Sequence, residues 1–134
     1  MPVVKSEVQQ VRTEGDIVLV RQAVRKFAVE IKCSLVDQTK VVTAASELAR
    51  NLLIYGGGGE VKMEVLEEGI RRGLRTIFED HGPGIPNIEQ ALTDGFTSGK
   101  GMGLGLGGAK RLVNDFKIES EVGKGTRITI IKWK

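Results

Sequence analysis

The stretch SGKGMGLGLGGAKRL, residues 98–112, places six glycines within ten residues and then resumes as a helix-forming segment. Glycine loses more backbone entropy on folding than any other residue, so a dense cluster indicates backbone that turns with positive φ or approaches another group closely. A phosphate is such a group, because successive backbone N–H groups ahead of a helix can surround an anion. Gly-rich runs also form flexible surface loops, and this stretch alone fits either interpretation.

The overall composition is that of an ordinary globular protein. With 134 residues, of which 40% are hydrophobic and 28% charged, we expect one domain spanning residues 1–134. The net charge of +3 is small and basic residues alternate with acidic ones, which argues against nucleic acid as a partner. The single cysteine, Cys33, cannot form a disulfide within the chain, and no segment reaches the ~20 apolar residues of a membrane span. We therefore expect a cytoplasmic protein without a membrane partner.

The hydrophobic pattern predicts the order of helices and strands. Thr13 with Asp16, and Ser34 with Asp37, form capping patterns ahead of apolar residues at helical spacing, so we expect helices over 16–31 and 34–55. Strand character appears at 4–11, 60–68, 73–80, 117–122 and 126–133, with a glycine-containing break at 69–73 and shorter helices at 87–94 and 108–116. This order predicts an α+β two-layer sandwich with a mixed, mostly antiparallel sheet and helices on one face.

The motif SELARN, residues 46–51, lies inside the second predicted helix. Glu47 and Asn51 are four residues apart and share one face of that helix. A carboxylate at this position could accept a proton, and a carboxamide oxygen is a ligand that Mg²⁺ accepts. A solvated helix surface has the same composition, so the motif alone leaves both interpretations open.

The motif EDHGPGIP, residues 79–86, follows a run with buried character. Asp80 could accept a hydrogen bond from an amino group such as adenine N6, while Gly82 and Gly84 would let a flat base lie against the backbone. A tight turn of the same composition is the alternative. His81 has no second ligand at metal-binding spacing, and we interpret it as a solvated turn residue.

A third motif, GKGT at residues 123–126, is either an ordinary hairpin turn or a further purine contact through the Thr126 hydroxyl. In chain order, E-x-x-R-N, D-x-G-P-G, the Gly-rich stretch and G-x-G-T resemble the GHKL superfamily of gyrase-type ATPases and histidine kinases. SELARN, EDHGPGIP and the Gly-rich stretch are most similar to the RsbT-type serine/threonine kinases of the bacterial stressosome. The resemblance spans the whole chain and implies the Bergerat ATP-binding fold.

The resemblance also implies roles for individual residues. Glu47 is expected to act as general base and Asn51 to bind Mg²⁺, so ATP and Mg²⁺ are the implied cofactors. Asp80 and Thr126 are expected to hold adenine, with Gly84 beside the base. The implied nucleotide-binding set extends through the second motif and the ATP lid, and includes Gly82, Lys100, Gly101, Gly103, Leu104 and Gly105. Lys100 either reaches a phosphate or stays a solvated loop lysine.

Competing phosphate motifs fit the residues less well. Gly103, Gly105 and Gly108 satisfy G-x-G-x-x-G, but no predicted strand precedes them, and neither Gly-Lys pair meets the Walker A pattern. His81 is the only histidine in the sequence, so we do not expect a histidine kinase that acts by itself.

The function implied by the resemblance is that of a protein kinase. Such an enzyme would transfer the ATP γ-phosphate to a serine or threonine of STAS-domain scaffold or antagonist proteins. After release it would bind and activate a metal-dependent serine/threonine phosphatase in a bacterial stress response. The alternative is an anti-sigma factor or an ATP-dependent binding module of the same fold, in which ATP addition would leave a STAS partner unmodified.

Overall fold

The computed structural model describes residues 2–92 and 106–134, which form a five-stranded sheet and its helices. The elements in chain order are β1 (Val3–Val11), α1 (Glu14–Glu30), α2 (Leu35–Ile54), β2 (Gly59–Glu68), β3 (Arg71–Asp80), α3 (Ile88–Ala91), α4 (Leu106–Arg111), β4 (Asp115–Glu121) and β5 (Gly125–Trp133). The two long helices agree with their predicted bounds to within two residues.

The strands are arranged in the order β1-β2-β3-β5-β4, and each of the described ladders is antiparallel. This confirms the predicted two-layer α+β fold with a mostly antiparallel sheet. β2 with β3, and β4 with β5, are hairpins, whereas β3 and β5 are distant in sequence. Their pairing sets Asp80, the last residue of β3, opposite Thr126. Two of the motifs therefore meet at one end of the sheet.

Both long helices begin at the capping residues that the sequence predicts. The Thr13 hydroxyl accepts the Asp16 N–H at 3.3 Å, and the Asp16 carboxylate accepts the N–H groups of Arg12 at 2.9 Å and Thr13 at 3.1 Å. The Arg12 N–H is the largest influence on this carboxylate and lowers the pKa of Asp16. At α2, the Ser34 hydroxyl accepts the Asp37 N–H at 3.1 Å. Each cap contributes about 0.5–2 kcal/mol to helix stability.

The hydrophobic core lies between the helices and one face of the sheet. The predicted apolar stripe of α2 is buried there, as are alternate residues of the central strands: Val41, Ala45, Leu48 and Leu52 on the helix, and Met63, Leu74, Phe78 and Ile130 on the sheet. Burying one large apolar side chain contributes about 1.5–3 kcal/mol. The other face of the sheet carries ion pairs, such as Arg75 with Glu64 at 2.6 Å. The helices therefore cover a single face.

The connection between α1 and α2 buries two of its side chains, Ile31 and Cys33, against the core. Cys33 lies there as a free thiol, and burial raises its pKa. Nearby, Lys132 of β5 is buried and pairs with Asp37 at 3.4 Å, which ties the start of α2 to the sheet.

Among the described residues, none of the helices combines the length and apolar character that crossing a lipid bilayer requires.

The chain departs from the predicted pattern after the Gly-rich stretch. A helix is predicted over 108–116, but α4 ends at Arg111 and β4 begins at Asp115. Between them, the Asn114 N–H donates to the Ile131 carbonyl at 3.0 Å, and the Asn114 side chain accepts the Trp133 N–H at 2.7 Å. Pairing with the end of β5 therefore overrides the local helical spacing.

Candidate active site

A cavity of about 240 Å³ lies at the end of the sheet where β3 finishes. Its walls come from α2, the ends of β3 and β5, segment 83–87 and the first residue of α4. Most of the lining is apolar and includes Leu48, Leu52, Phe78, Ile85, Leu106 and Ile128. The polar side chains that reach it are Asn51, Tyr55, Asp80, Asn87 and Thr126. Apolar walls with a few convergent polar groups suit a flat organic ring with a polar edge.

Asp80 presents one carboxylate oxygen that is open to a ligand. Its Oδ1 accepts the Gly82 N–H at 2.9 Å, while Oδ2 has no hydrogen-bond partner within residues 2–92 and 106–134. Gly56 packs against this group, and a Cβ on Gly56 would lie 2.5 Å from Oδ2. Gly56 does not have a positive φ. The absence of a side chain at Gly56 therefore makes room for Asp80, and the backbone freedom of glycine is not needed here. The carboxylate is thus fixed with one oxygen available to an N–H donor.

Segment 83–85 is fastened to the β4–β5 hairpin by two backbone donors. The Gly123 N–H donates to the Pro83 carbonyl at 2.9 Å, and the Ile85 N–H donates to the Ser120 hydroxyl at 2.7 Å. These bonds hold the backbone of the second motif as one wall of the cavity.

Gly84 permits this close approach. Its φ is +78°, and a Cβ at this position would overlap the carbonyl oxygen of Glu121. A larger residue would therefore push the segment away from the hairpin and open the wall. Gly82 contributes its N–H to Asp80 and does not line the described cavity. His81 is exposed, as the sequence predicts for a turn residue.

Thr126 lines the cavity beside Asp80, because the two residues face each other in the β3–β5 ladder. The Thr126 hydroxyl lies 2.8 Å from the hydroxyl of Ser120, its neighbour on β4. Two side chains that contact one base must be adjacent in this way.

Glu47 and Asn51 lie on the same side of α2 but differ in exposure. Asn51 is half-buried and lines the cavity, whereas Glu47, one turn earlier, is exposed and lies outside the described lining. Arg50 pairs with Glu14 at the start of α1 at 3.8 Å. The Glu47 side chain is therefore exposed on α2, one turn before the residue that lines the cavity.

The described residues fit a nucleotide and a phosphate-bound Mg²⁺ ion. The open Oδ2 of Asp80 matches an exocyclic amino group, and the apolar walls match the faces of a purine. Within the described ranges, no cluster of three or more His, Cys, Asp or Glu side chains could hold a metal ion. Mg²⁺ commonly binds one or two protein oxygens together with phosphate oxygens and water, so Asn51 would suffice as the protein ligand.

Five of the predicted nucleotide-binding residues lie outside the described residues: Lys100, Gly101, Gly103, Leu104 and Gly105. The motifs do not identify the lining residues Tyr55 and Asn87, nor Gly56 beside Asp80 and Ser120 beside Thr126. Gly56 begins a run of four glycines after α2, a composition that by itself indicates only the end of a helix. Ser120 continues the inward alternation of β4 with a hydroxyl in place of an apolar side chain, which is the signal that could have identified it.

The chain is similar in sequence and in fold to several known proteins. Residues 36–134 match the histidine kinase-, DNA gyrase B-, and HSP90-like ATPase family. The chain is 45% identical over 124 residues to the serine/threonine-protein kinase RsbT of Bacillus subtilis, covering 92% of this chain and 93% of that protein. It is 35% identical over 118 residues to the anti-sigma F factor of Clostridium kluyveri, covering 84% and 82%. The solved RsbU and RsbW domains of Rv1364c from Mycobacterium tuberculosis share the fold, with a TM-score of 0.63, 19% identity, and coverage of 98% of this chain and 33% of that one.

Proposed function

Since the chain belongs to the histidine kinase-, DNA gyrase B-, and HSP90-like ATPase family, as an RsbT-type serine/threonine protein kinase, we propose a specific substrate for it. It transfers the γ-phosphate of Mg·ATP to a serine or threonine of a STAS-domain scaffold or antagonist protein. The observation that supports this proposal best is the apolar cavity, which is lined by the Asp80 carboxylate, the Thr126 side chain and Asn51 of α2.

In this proposal, the cavity residues hold the base in one orientation. Asp80 Oδ2 accepts a hydrogen bond from the adenine amino group, because Oδ1 is already bound to the Gly82 N–H. The Thr126 hydroxyl contacts the same edge of the base, and the apolar walls exclude water from its faces. Lys100, Gly101, Gly103, Leu104 and Gly105 belong to the proposed lid over the phosphates.

Glu47 is the proposed general base, and Asn51 the proposed Mg²⁺ ligand. Glu47 is exposed one turn before Asn51 on α2, so the hydroxyl of a protein substrate can approach it and give up its proton. Asn51 lies one turn further along α2 and turns its side chain into the cavity. Mg²⁺, when bound, would neutralise phosphate charge during transfer.

The direct test combines the purified chain, a STAS-domain protein of the same organism and Mg·ATP. We expect intact-mass spectrometry to detect one added phosphoryl group on the STAS protein. Glu47→Ala should retain ATP binding but lose about 10²- to 10⁴-fold in transfer rate, the usual contribution of a general base. Glu119→Ala is the matched control, because Glu119 is exposed on β4. A STAS protein that stays unmodified with the wild-type chain would refute the kinase proposal.

The proposal has a second stage, in which phosphorylation of the STAS protein releases the kinase. The released kinase binds and activates a metal-dependent serine/threonine phosphatase. Phosphorylation can drive this exchange because the added charge changes the differential affinity of the kinase for its two partners. We expect the phosphatase to gain activity with the kinase and a phosphorylated STAS protein. Equal activation with the unphosphorylated STAS protein would contradict the exchange.

The similarity to the anti-sigma F factor supports one alternative, a module that binds a sigma factor under the control of ATP. Such a module would sequester the sigma factor and leave the STAS protein unmodified. Binding of a sigma factor together with an unmodified STAS mass would favour this alternative.

A further inference from the structure

The turn between α1 and α2 presents apolar side chains to solvent, at the end of α2 that lies away from the cavity. Val29 near the end of α1 is 54% exposed, and Leu35 and Val36, the first two residues of α2, are 71% and 64% exposed. The first turn of a helix usually carries polar or acidic side chains, because these interact with its free N–H groups. A group of exposed apolar side chains at this place therefore indicates a contact surface.

Two lysines border these apolar side chains and make the surface basic. Lys32 lies in the turn, and Lys40 lies one turn after Val36 on α2; both are exposed. Neither lysine has an acidic partner within residues 2–92 and 106–134. The acidic side chains of this region already form ion pairs within the chain, Glu30 with Lys5 at 2.9 Å and Asp37 with Lys132 at 3.4 Å. We call the surface formed by Val29, Lys32, Leu35, Val36 and Lys40 the α1–α2 corner, and its two lysines are available to an acidic partner.

Lys32 occupies a backbone position where glycine is the usual residue. The Lys32 N–H donates to the Val29 carbonyl at 2.9 Å. The Cys33 N–H donates to the Ala28 carbonyl at 3.0 Å, which completes a Schellman ending of α1. The φ of Lys32 is +66°, a conformation that a Cβ disfavours and that glycine adopts freely. The charged side chain is thus kept where the backbone favours glycine, which supports a role for it outside the fold.

An exposed stripe of α2 joins this corner to Glu47. Along this stripe, residues three or four positions apart share one side of the helix, and all of them are exposed: Val36, Lys40, Thr43 and Glu47. At about 1.5 Å per residue, Val36 and Glu47 are separated by about 16 Å. A standard protein interface covers about 800 Å² of each partner, a patch about 32 Å across. A protein whose hydroxyl reaches Glu47 is therefore large enough to cover the corner as well.

We propose that the α1–α2 corner is a docking surface for the STAS-domain substrate, and that it receives an apolar patch of that protein bordered by acidic side chains. This inference rests on the proposed function, since it requires a STAS protein as substrate. The apolar side chains supply buried area, and Lys32 and Lys40 supply complementary charge, which acts mainly on partner choice and association rate. The corner therefore selects the protein that presents its hydroxyl to Glu47, while the chemistry takes place further along α2.

The experiment measures phosphate transfer to a STAS-domain protein of the same organism, with kcat and the KM for that protein determined separately. The full chain is compared with three variants, Leu35→Ser combined with Val36→Ser, Lys32→Gly, and Lys40→Glu. We expect KM to rise at least about 10-fold in the double variant and in Lys40→Glu, and about 3- to 10-fold in Lys32→Gly. The kcat should stay unchanged, because the cavity and Glu47 are intact. Matched controls are Ile70→Ser in the β2–β3 turn and Lys117→Glu on β4, which replace exposed apolar and basic side chains elsewhere.

Two further readouts separate docking from a structural role. ATP affinity, measured by calorimetry, should be the same in all variants. The urea midpoint of Lys32→Gly should stay the same or rise, because glycine suits a φ of +66°, although its KM for the STAS protein increases. Raising NaCl from about 50 to about 500 mM should increase the wild-type KM, and should have a smaller effect on Lys32→Gly and Lys40→Glu.

The inference would be overturned by a wild-type KM in all three variants, or by a fall in kcat or ATP affinity in place of the rise in KM. Variants that transfer phosphate normally but no longer activate the phosphatase would assign the corner to that partner and would also overturn it. A STAS protein that the wild-type chain leaves unmodified would refute the proposed function and this inference with it. Normal transfer by the wild-type chain, together with any of the earlier results, would remove only the docking role of the corner.

Discussion

Replacing Gly56 by alanine should displace the Asp80 carboxylate and weaken ATP binding, although Asp80 itself is not substituted. The added Cβ would lie 2.5 Å from Cγ and Oδ2 of Asp80. Ordinary contacts between such atoms are about 3.5–4.0 Å, so the carboxylate must move by about 1 Å. A displacement of this size takes Oδ2 out of hydrogen-bond range of an amino group placed for the wild-type protein. A hydrogen bond to a charged group contributes about 1.5–3 kcal/mol, so we expect ATP affinity to fall about 10- to 150-fold.

The assay for Gly56→Ala is calorimetric titration with Mg·ATP, together with urea unfolding of the same sample. The substitution should also lower stability, because the added Cβ would lie 2.6 Å from the Asp80 Cβ, which rotation of the side chain cannot move. The urea titration measures this cost separately from the loss of ATP affinity. Gly15→Ala is a suitable control, since a Cβ there meets just the Thr13 hydroxyl, at 3.7 Å. Wild-type ATP affinity in Gly56→Ala would refute the reasoning that the orientation of Asp80 controls base binding.

Four further predictions concern other parts of the chain. Gly15→Ala should raise the free energy of unfolding by about 0.4–1 kcal/mol in urea titration, because alanine fits α1 and reduces the entropy of the unfolded chain. Folding lowers the pKa of Asp16, chiefly through the Arg12 N–H, so the stability advantage over Asp16→Asn should be complete above the unfolded pKa of about 3.9 and lost as pH falls through the folded pKa; an advantage independent of pH would contradict this. Burial raises the pKa of Cys33, so iodoacetamide should alkylate the native protein at least about tenfold more slowly than the urea-unfolded chain at the same pH, as followed by mass spectrometry. Asn51→Ala should shift the Mg²⁺ dependence of phosphate transfer to higher concentration, and an unchanged metal titration would remove Asn51 as ligand.

The elements with local signals could be predicted from the sequence. Thr13 and Ser34 mark the starts of the long helices because a capping side chain acts on backbone only three residues away. The turn between β2 and β3 was predicted less well, with a break at 69–73. β3 instead begins at Arg71, and Gly73 lies inside it, paired with Leu66 and Trp133 on the neighbouring strands. A strand partner sixty residues away outweighs the local preference of glycine, and local patterns contain no signal for that partner.

In the site too, some residues have a local sequence signal, whereas others depend on contacts between distant segments. The motifs identify Asp80, Asn51 and Thr126 as candidates, and the structure brings all three to one cavity. Their adjacency depends on the β3–β5 register, which a single sequence does not specify. Ser120 lies 2.8 Å from the Thr126 hydroxyl, and Gly56 leaves space beside Asp80 that a Cβ would fill. Such proximity is visible only after the strands and α2 are assembled.

The strand order has a consequence for how the chain folds. The β2–β3 and β4–β5 hairpins are local and can form early, whereas the ladder that joins Asp80 to Thr126 must close a long loop containing α3, α4 and the Gly-rich stretch. A chain with both hairpins but an open ladder would expose two unpaired strand edges, which is the kind of intermediate that aggregates. In the proposed site, ATP contacts both β3 and β5 and therefore binds only the form in which their ladder has closed. ATP would then reduce the population of this intermediate by mass action. The nucleotide pool of the cell would then influence how much intact kinase accumulates, in addition to supplying its phosphate.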